Sequence, residues 1–190
     1  QDAFNLIYSS GTTGTPKGIL HNHWMRATQM DRVSANGYDA DARTLLSTPL
    51  YSNTTIVSFL PTLVVGSTVH LMPKFDARRY LQLVEAERIT HTMLVPVQYK
   101  RIMELPDFDD FDLSSMKVKF STSAPLRPDI KADVVARFPG NLIEYYGLTE
   151  GGAVCVLIAT DHPDKLHTVG RPGPGCDIRL IDAQDREVPP

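Results

Sequence analysis

Short apolar segments alternate with longer segments of helical spacing along most of this chain, and this alternation constrains the fold more than any other feature. Apolar runs bounded by turn residues are typical of buried strands, whereas residues three and four apart, as at Tyr80, Leu83 and Val84, predict a helix. Strands that alternate with helices build a mostly parallel sheet. The sequence therefore predicts an α/β fold with a largely parallel sheet flanked by helices.

The predicted elements follow one another at short intervals. We expect strands at 4–8, 18–21, 43–48, 68–72, 92–95, 117–121, 142–146 and 177–182. We expect helices at 24–35, 54–65, 76–87, 97–104 and 128–138, with Asp76 as the cap of the third. The acidic segment 108–115 is predicted to be a surface loop, and Trp24 and Met25 are predicted to belong to the core.

Composition agrees with a globular unit of one or two compact lobes, since the 190 residues are 42% hydrophobic. The net charge of −3 is spread without a run of like sign, which argues against nucleic acid or an anionic membrane surface as a partner. No apolar run is long enough to cross a bilayer, and no secretory leader is visible. Cys155 and Cys176 show no metal-ligand spacing, and the six histidines are scattered, so we expect reduced thiols, no metal cluster and a cytoplasmic location. Because the chain opens just before one strand and closes just after another, we expect it to be a piece of a longer protein.

The segment from Tyr8 to Gly18 has the composition of a phosphate-binding loop. Three glycines in eight positions allow backbone N–H groups to turn inward on an anion. Ser9, Ser10, Thr12 and Thr13 add hydroxyl donors. Lys17 adds a mobile positive charge directly after the rigid Pro16. The alternative is a solvent-exposed linker. A linker does not require the Pro-Lys-Gly sequence that ends this segment, and it would not directly follow a buried strand. A Walker loop is excluded, because Lys17 lies three residues after Gly14 and is followed by glycine.

A second candidate site lies at 145–152, at the end of a predicted strand. Ligands of open α/β sheets bind beyond the carboxyl ends of strands. Tyr146 can stack on a purine ring, and Glu150 can hold magnesium, which prefers oxygen ligands and bridges to substrate phosphates. The alternative is an ordinary turn with Thr149 as an N-cap and a surface glutamate.

Taken together, these segments resemble the adenylate-forming superfamily of acyl-CoA synthetases, luciferases and peptide-synthetase adenylation domains. The loop 8–18 and the later Tyr-Gly-Leu-Thr-Glu segment match the superfamily's two phosphate motifs. The segment 121–126 is similar to its glycine-alanine-proline segment, with Ser123 in place of glycine, where a hydroxymethyl group narrows the approach to the acyl group. The segment 48–53 is similar to its proline-x-aromatic-histidine segment, with Ser52 in place of histidine. The segment 169–172 resembles its step into a third subdomain.

The resemblance implies activation of a carboxylic acid by ATP to an acyl-adenylate, followed by transfer to a thiol, usually that of coenzyme A. An uncharged tail, as in a fatty or aryl acid, is favoured because neither Ser52 nor Asn53 carries the charge that an amino acid would require. The alternatives are a carrier-protein thiol or another acceptor, or a fragment that is only structural. The resemblance also implies Mg²⁺ as cofactor, and a C-terminal domain of the parent chain as partner.

The same resemblance assigns the residues. Lys17, Thr149 and Glu150 are implied to be catalytic, with Glu150 as the metal ligand. The implied nucleotide contacts are Ser9, Ser10, Gly11, Thr12, Thr13, Gly14, Lys17, Ser123, Ala124, Pro125, Tyr145, Tyr146, Gly147 and Thr149. The implied acid pocket comprises Tyr51, Ser52, Asn53, Thr122 and Ala153. Residues 1–170 would form the central α/β core of the AMP-binding domain, and 171–190 the start of a β-rich subdomain. The resemblance implies that the ribose-binding aspartate and the lysine that assists adenylation lie beyond residue 190.

Overall fold

The computed structural model describes residues 2–9 and 15–189. In these ranges the chain forms eleven strands, five α-helices and two short 3-10 helices. The strands are Ala3–Ser9 (β1), Lys17–Asn22 (β2), Arg43–Leu46 (β3), Thr68–Leu71 (β4), His91–Leu94 (β5), Val118–Ser121 (β6), Asn141–Leu148 (β7), Gly152–Ile158 (β8), Arg171–Pro172 (β9), Leu180–Ile181 (β10) and Glu187–Val188 (β11). The helices are His23–Ser34 (α1), Asn53–Val64 (α2), Ala77–Ala86 (α3), Pro96–Met103 (α4) and Pro128–Arg137 (α5), with 3-10 turns at Phe108–Asp110 and Pro163–Lys165.

The central sheet of the described chain has seven strands in the order β4-β3-β5-β6-β7-β8-β9. All pairs from β4 to β7 are parallel, because a helix or a long loop carries the chain back between them. The pairs β7–β8 and β8–β9 are antiparallel. The predicted α/β fold with a largely parallel sheet is confirmed.

Helices cover both faces of this sheet, which explains why β5 and β6 are buried at every position. On one face α3, α4 and α5 pack over a core that includes Tyr80, Tyr99 and Val134. On the other face α1 and α2 lie over a smaller core with Val33 and Phe120. Alternation along β6 sends neighbouring side chains into different cores.

The strands β1 and β2 form an antiparallel hairpin outside the central sheet. Ser9 pairs with Lys17 at its closed end, so the candidate phosphate loop is the connection between the two strands. The hairpin leads directly into α1, whose first turn is capped by the side chain of Asn22 accepting the Met25 N–H at 2.8 Å. Residues 10–14 of the loop lie outside the described residues.

Four local expectations differ from the structure. The sequence does not predict β8, because a short apolar run is compatible with a buried strand but cannot be distinguished from a helix segment by periodicity alone. The segment 108–115 is not simply a surface loop, since Phe108 and Leu113 are 1% and 4% exposed beneath its carboxylates. Trp24 is 68% exposed rather than in the core, because it lies two residues from buried Arg26 and hence on the opposite face of α1. The strand expected at 177–182 is confined to β10.

None of the helices in the described part of the chain combines the length and the apolar character that crossing a bilayer requires.

Candidate functional site

A cavity of roughly 1020 Å³ opens at the carboxyl ends of β6 and β7. Its walls come from the end of β1, from α1 and α2, from the segment after β6, from the hairpin β7–β8, and from the segment 162–174 that follows β8. Loops that follow parallel strands meet at one edge of a sheet, so this is the edge at which an α/β fold gathers ligand-binding groups. The cavity therefore joins the two sequence segments singled out as candidate sites.

Nine of the implied site residues line this cavity. They are Ser9, Asn53, Thr122, Ser123, Tyr145, Gly147, Thr149, Glu150 and Ala153. Six described residues of the implied set lie outside its lining, namely Lys17, Tyr51, Ser52, Ala124, Pro125 and Tyr146. The remaining five, Ser10, Gly11, Thr12, Thr13 and Gly14, fall outside the described residues.

Thr149 and Glu150 occupy the tight turn between β7 and β8 rather than the start of a helix. Gly147 makes this hairpin possible, because a Cβ atom at that position would lie 2.0 Å from the carbonyl oxygen of Gly152. A bulge between Tyr146 and Gly147 accompanies the close approach. Any side chain at position 147 would thus displace the turn that carries the candidate phosphate and metal groups.

The two tyrosines before this glycine face opposite sides of the sheet. The ring of Tyr145 stacks on Phe120 at 5.5 Å between centroids, and its hydroxyl accepts a hydrogen bond from Asn36 at 3.4 Å. Burial raises the pKa of Tyr145, so the phenol stays neutral at physiological pH. Tyr146 is 55% exposed. Tyr145 thus forms a fixed wall of the cavity, whereas the ring of Tyr146 is accessible from solvent.

Ser123 has a φ of +77°, in the left-handed region that favours glycine. Its hydroxyl and that of Thr54, in the first turn of α2, lie 2.6 Å apart and share a hydrogen bond. Both side chains line the cavity. Ser123, which stands where the resembling superfamily has glycine, is therefore hydrogen-bonded across the cavity to α2.

Arg26 belongs to none of the sequence motifs, yet it lies 1% exposed beside the cavity. Its guanidinium donates to Asn5 Oδ1 at 3.0 Å, Gln29 Oε1 at 2.8 Å, Asn53 Oδ1 at 2.9 Å and His21 Nδ1 at 2.6 Å. We call these five residues the Arg26 cluster. Burial lowers the pKa of Arg26 to about 10, so the guanidinium is still charged at neutral pH. Helical spacing offers a signal for it, because Arg26 lies seven residues before the buried Val33 and so on the same face of α1.

His21 connects the Arg26 cluster to the turn between β7 and β8. The imidazole is fully buried, and its Nε2 lies 2.7 Å from the carbonyl oxygen of Thr149. Burial lowers the pKa of His21, and the nearby charge of Arg26 acts in the same direction. A neutral imidazole with Nε2–H donating to the carbonyl therefore fits this site.

Within the described ranges, no group of three or more His, Cys, Asp and Glu side chains is arranged to hold a metal ion. A single exposed carboxylate, Glu150, lines the cavity at the tip of the hairpin. This donor set fits Mg²⁺, which binds through one or two carboxylates together with substrate phosphates.

The sequence signature of the family described as AMP-binding enzyme matches residues 1–190. The chain belongs to this family. It is 33% identical over 186 residues to the medium/long-chain-fatty-acid–CoA ligase FadD8 of Mycobacterium tuberculosis, covering 96% of this chain and 32% of that protein. It is 33% identical to the indoleacetate–CoA ligase of Aromatoleum aromaticum, covering 97% of this chain and 37% of that protein.

A solved structure with a similar fold is that of the amide bond synthetase McbA from Marinactinospora thermotolerans. The two superpose with a TM-score of 0.86 and 28% sequence identity, over 97% of this chain and 37% of McbA. The chain therefore spans about a third of the length of each of these three relatives.

Proposed function

We propose that the protein containing this chain is an AMP-forming acid–CoA ligase that activates a fatty or aryl acid. The observation that carries the proposal is a cavity of roughly 1020 Å³, which brings the base of the candidate phosphate loop, Thr149 and Glu150 together with Asn53, Thr122 and Ala153. A cavity of this size has room for a nucleotide and an acid at once. The CoA ligases among the relatives support the same reaction.

The nucleotide half of the site is proposed to be the hairpin β1–β2 and the turn after β7. The loop from Ser9 to Lys17 would hold the β and γ phosphates through its backbone N–H groups and the Lys17 ammonium. Thr149 would contact the α phosphate. Glu150 would hold Mg²⁺, which supplies neutralisation of phosphate charge when it is bound. Tyr146 is proposed to stack on the purine; its ring is accessible but lies outside the cavity lining, so the purine would have to extend beyond the cavity to reach it.

The acid half is proposed to be the wall formed by Asn53, Thr122, Ser123 and Ala153. These side chains are uncharged, so they favour an acid whose tail carries no second charge. The names of two relatives specify a fatty acid and indoleacetate, which are acids of this class. Tyr51 is 82% exposed and Ser52 lies outside the cavity lining, so any contact of theirs with the acid requires a rearrangement.

The proposed reaction needs positioning rather than covalent work by the protein. A carboxylate oxygen attacks the α-phosphorus of ATP, a new P–O bond forms, and pyrophosphate leaves with the electrons of the broken bond. The sulfur of coenzyme A then attacks the acyl carbon, AMP leaves with the electrons of the C–O bond, and the thiol proton is released. Correct alignment can account for about 7 to 11 kcal/mol of such a barrier.

The rest of the parent protein is proposed to complete the site. Residues 1–170 would be the central α/β core of the AMP-binding domain, and 171–190 would begin a β-rich subdomain. The ribose-binding aspartate and the adenylating lysine are proposed to lie in the part of the parent that this chain does not contain. A C-terminal domain that brings the lysine to the cavity is the proposed intramolecular partner.

A second acceptor is favoured by one observation. McbA, which is 28% identical, is an amide bond synthetase by name, and an amide bond forms when an amine takes the place of the thiol. Both versions share the adenylation half-reaction and differ only in the nucleophile of the second step.

Acid-dependent exchange of labelled pyrophosphate into ATP by the full-length protein tests the proposal. We expect exchange with a fatty or aryl acid, and thioester formation when coenzyme A is added. Glu150→Gln should slow exchange, whereas the matched control Glu104→Gln, at the exposed residue directly after α4, should not. Formation of an amide instead of a thioester would show that the acceptor is an amine rather than coenzyme A. Absence of exchange with every acid class, at any Mg²⁺ concentration, would refute the proposal.

A further inference from the structure

We infer that Arg26 is a positioning residue that couples the acid half of the cavity to the turn bearing Thr149 and Glu150. This inference rests on the proposed function. Each hydrogen-bond partner of Arg26 belongs to a different element: Asn5 to β1, His21 to β2, Gln29 to α1 and Asn53 to α2. One side chain thus joins every element that brings the candidate phosphate loop to the cavity wall.

The Arg26 cluster contains no carboxylate that would compensate the positive charge of the buried guanidinium. The four partners of Arg26 are all neutral side chains, and no ion pair joins Arg26 to another group in residues 2–9 and 15–189. Burying a cation is costly unless its N–H groups are satisfied, and here four of five are. A purely structural role could be filled by an apolar side chain at lower cost. The arrangement therefore favours a role in which the guanidinium orients its hydrogen-bond partners.

Arginine can only donate hydrogen bonds, and this fixes the orientation of both amides that line the cavity. Asn53 and Gln29 must each turn their oxygen toward Arg26, so each presents its NH₂ group on the other side. The Nε2 atom of Gln29 is buried and has no hydrogen-bond partner among the described residues. Arg26 thus prepares two neutral N–H donors, which suit the oxygen atoms of a bound acid or its adenylate.

The same rule fixes the tautomer of His21. Because Arg26 donates to Nδ1, the proton of the neutral ring must be on Nε2, where it can donate to the carbonyl oxygen of Thr149. The turn between β7 and β8 is thereby held at the backbone of the residue that precedes Glu150. Lysine at position 26 would keep the charge but could not reproduce the planar fork that reaches four acceptors.

Two branches of hydrogen bonds start at Arg26: one runs through His21 to Thr149, and the other runs to Asn53 in the acid wall. Single variants separate the two branches. His21→Leu cuts the branch to Thr149, and Asn53→Ala cuts the branch to the acid wall. In the full-length enzyme we expect His21→Leu to raise the KM for ATP, Asn53→Ala to raise the KM for the acid, and Arg26→Lys to raise both. Loss of one charge-assisted hydrogen bond corresponds to roughly ten- to hundredfold in each constant. Arg79→Lys, on the exposed surface of α3, is the matched control.

Double-mutant cycles and the ring tautomer give readouts that a general loss of packing would not produce. Adding His21→Leu to Arg26→Lys should not raise the KM for ATP further, and adding Asn53→Ala should not raise the KM for the acid further, because each branch is already broken. Selective ¹⁵N labelling of histidine should show His21 protonated at Nε2 in the wild type and a mixed or reversed tautomer in Arg26→Lys. Additive effects in both cycles, or His21 protonated at Nδ1 in the wild type, would overturn the inference.

Failure of the proposed function is distinguishable from failure of this inference. If the wild type catalyses no acid-dependent exchange, the reaction is wrong, yet the tautomer measurement still decides whether Arg26 controls His21. If the wild type is active and Arg26→Lys leaves both KM values and the tautomer unchanged, Arg26 has no positioning role.

Discussion

Ser123 combines an unfavourable backbone conformation with a hydrogen bond across the cavity. A left-handed φ costs a residue with a Cβ atom roughly 1 to 2 kcal/mol, which Gly avoids. The hydrogen bond to Thr54 at 2.6 Å offsets part of that cost and holds the serine against α2. The side chain is therefore retained at a position where the backbone alone would favour glycine.

We predict that Ser123→Gly widens acid selection without loss of stability. Removing the hydroxymethyl group opens the wall opposite Thr54, so bulkier acids should show a lower KM relative to small ones in the full-length enzyme. The midpoint of thermal unfolding should stay the same or rise. Thr54→Val is the control, because it removes the hydrogen bond but leaves the serine in place. An unchanged ranking of acids by size would contradict the predicted narrowing.

Lys17 pairs with Ser9 at the base of the loop that is proposed to hold phosphate. We predict that Lys17→Ala lowers kcat/KM for ATP by roughly one to two orders of magnitude, since a charge-assisted hydrogen bond contributes about 1.5 to 3 kcal/mol. Lys74→Ala, at another exposed lysine, should have no such effect. Equal efficiency of Lys17→Ala and the wild type toward ATP would remove the phosphate role.

His91 makes stability depend on pH. The imidazole is fully buried, stacks on Tyr38 at 4.1 Å and donates from Nε2 to the carbonyl oxygen of Asn36 at 3.2 Å. Burial lowers its pKa below the ordinary value of 6.5 in the folded state, so the unfolded chain binds a proton more readily.

We therefore predict that the free energy of unfolding falls as the pH drops below about 6.5, the usual histidine value. His91 contributes stability above that pH and loses it as the pH falls through the folded-state pKa. Urea titrations between pH 5 and 8 measure this slope, and His91→Asn should reduce it. His23→Asn, at an exposed histidine, is the control. An identical slope in His91→Asn and the wild type would refute the assignment.

At the scale of elements, a buried ion pair joins α5 to β7. Lys131 and Glu144 are each 3% exposed at the side chain and form a salt bridge. Glu144 also accepts the N–H of Leu126 at 3.0 Å, and Lys131 donates to the carbonyl oxygen of Thr168 at 2.9 Å. The pair thus connects the segment after β6 with the chain that leads into β9.

We predict that Lys131→Met lowers the free energy of unfolding by about 3 to 5 kcal/mol, because it leaves Glu144 as an uncompensated buried charge. Adding Glu144→Gln to it should recover most of the loss. Lys100→Met, which breaks an exposed pair with Glu104, should change stability by no more than about 1 kcal/mol. Guanidinium unfolding of the three variants gives the comparison. A double variant no more stable than Lys131→Met would show that the charge is not the cause.

Elements with a clear period were predictable, while features set by contacts distant in sequence were not. Asp76 caps α3 as predicted, since its side chain accepts the Arg79 N–H at 2.8 Å. In β6, alternation of Val118, Lys119 and Phe120 is typical of a half-exposed strand. Instead Lys119 is fully buried, and its ammonium donates to three carbonyl oxygens at the end of α5.

The residues of the candidate site also fall into a group that the sequence predicts and a group that it does not. The motif residues Ser9, Thr149 and Glu150 were predicted from local composition, and the structure places them around one cavity. Arg26 and His21 could not be assigned from sequence, because their hydrogen bonds reach residues up to 128 positions away. Charge on the buried face of a helix has no local signature beyond its position in the helical period.

At the scale of the whole molecule, we predict that the isolated 190-residue chain forms little acyl-adenylate. Alignment of ATP and acid requires groups that are proposed to lie in the parent outside this chain, which spans about a third of its relatives. Nucleotide binding should survive in weakened form. The measurement is acid-dependent pyrophosphate release by the purified chain, with its full-length parent as reference. Comparable turnover by the two proteins would refute the proposal that the chain is an incomplete catalytic domain.

The strand order has a consequence for synthesis on the ribosome. In the described sheet, β4 is added to one side of β3, and every later strand from β5 to β9 is added to the other, growing edge. None of these strands must insert between two that have already paired. The nascent chain can therefore cover each apolar strand soon after it leaves the exit tunnel, in the amino-to-carboxyl order of translation. Limited proteolysis of stalled ribosome-bound chains should show protection advancing from β3 toward β9 as the chain lengthens, and protection that begins only with the last strand would argue against such stepwise growth.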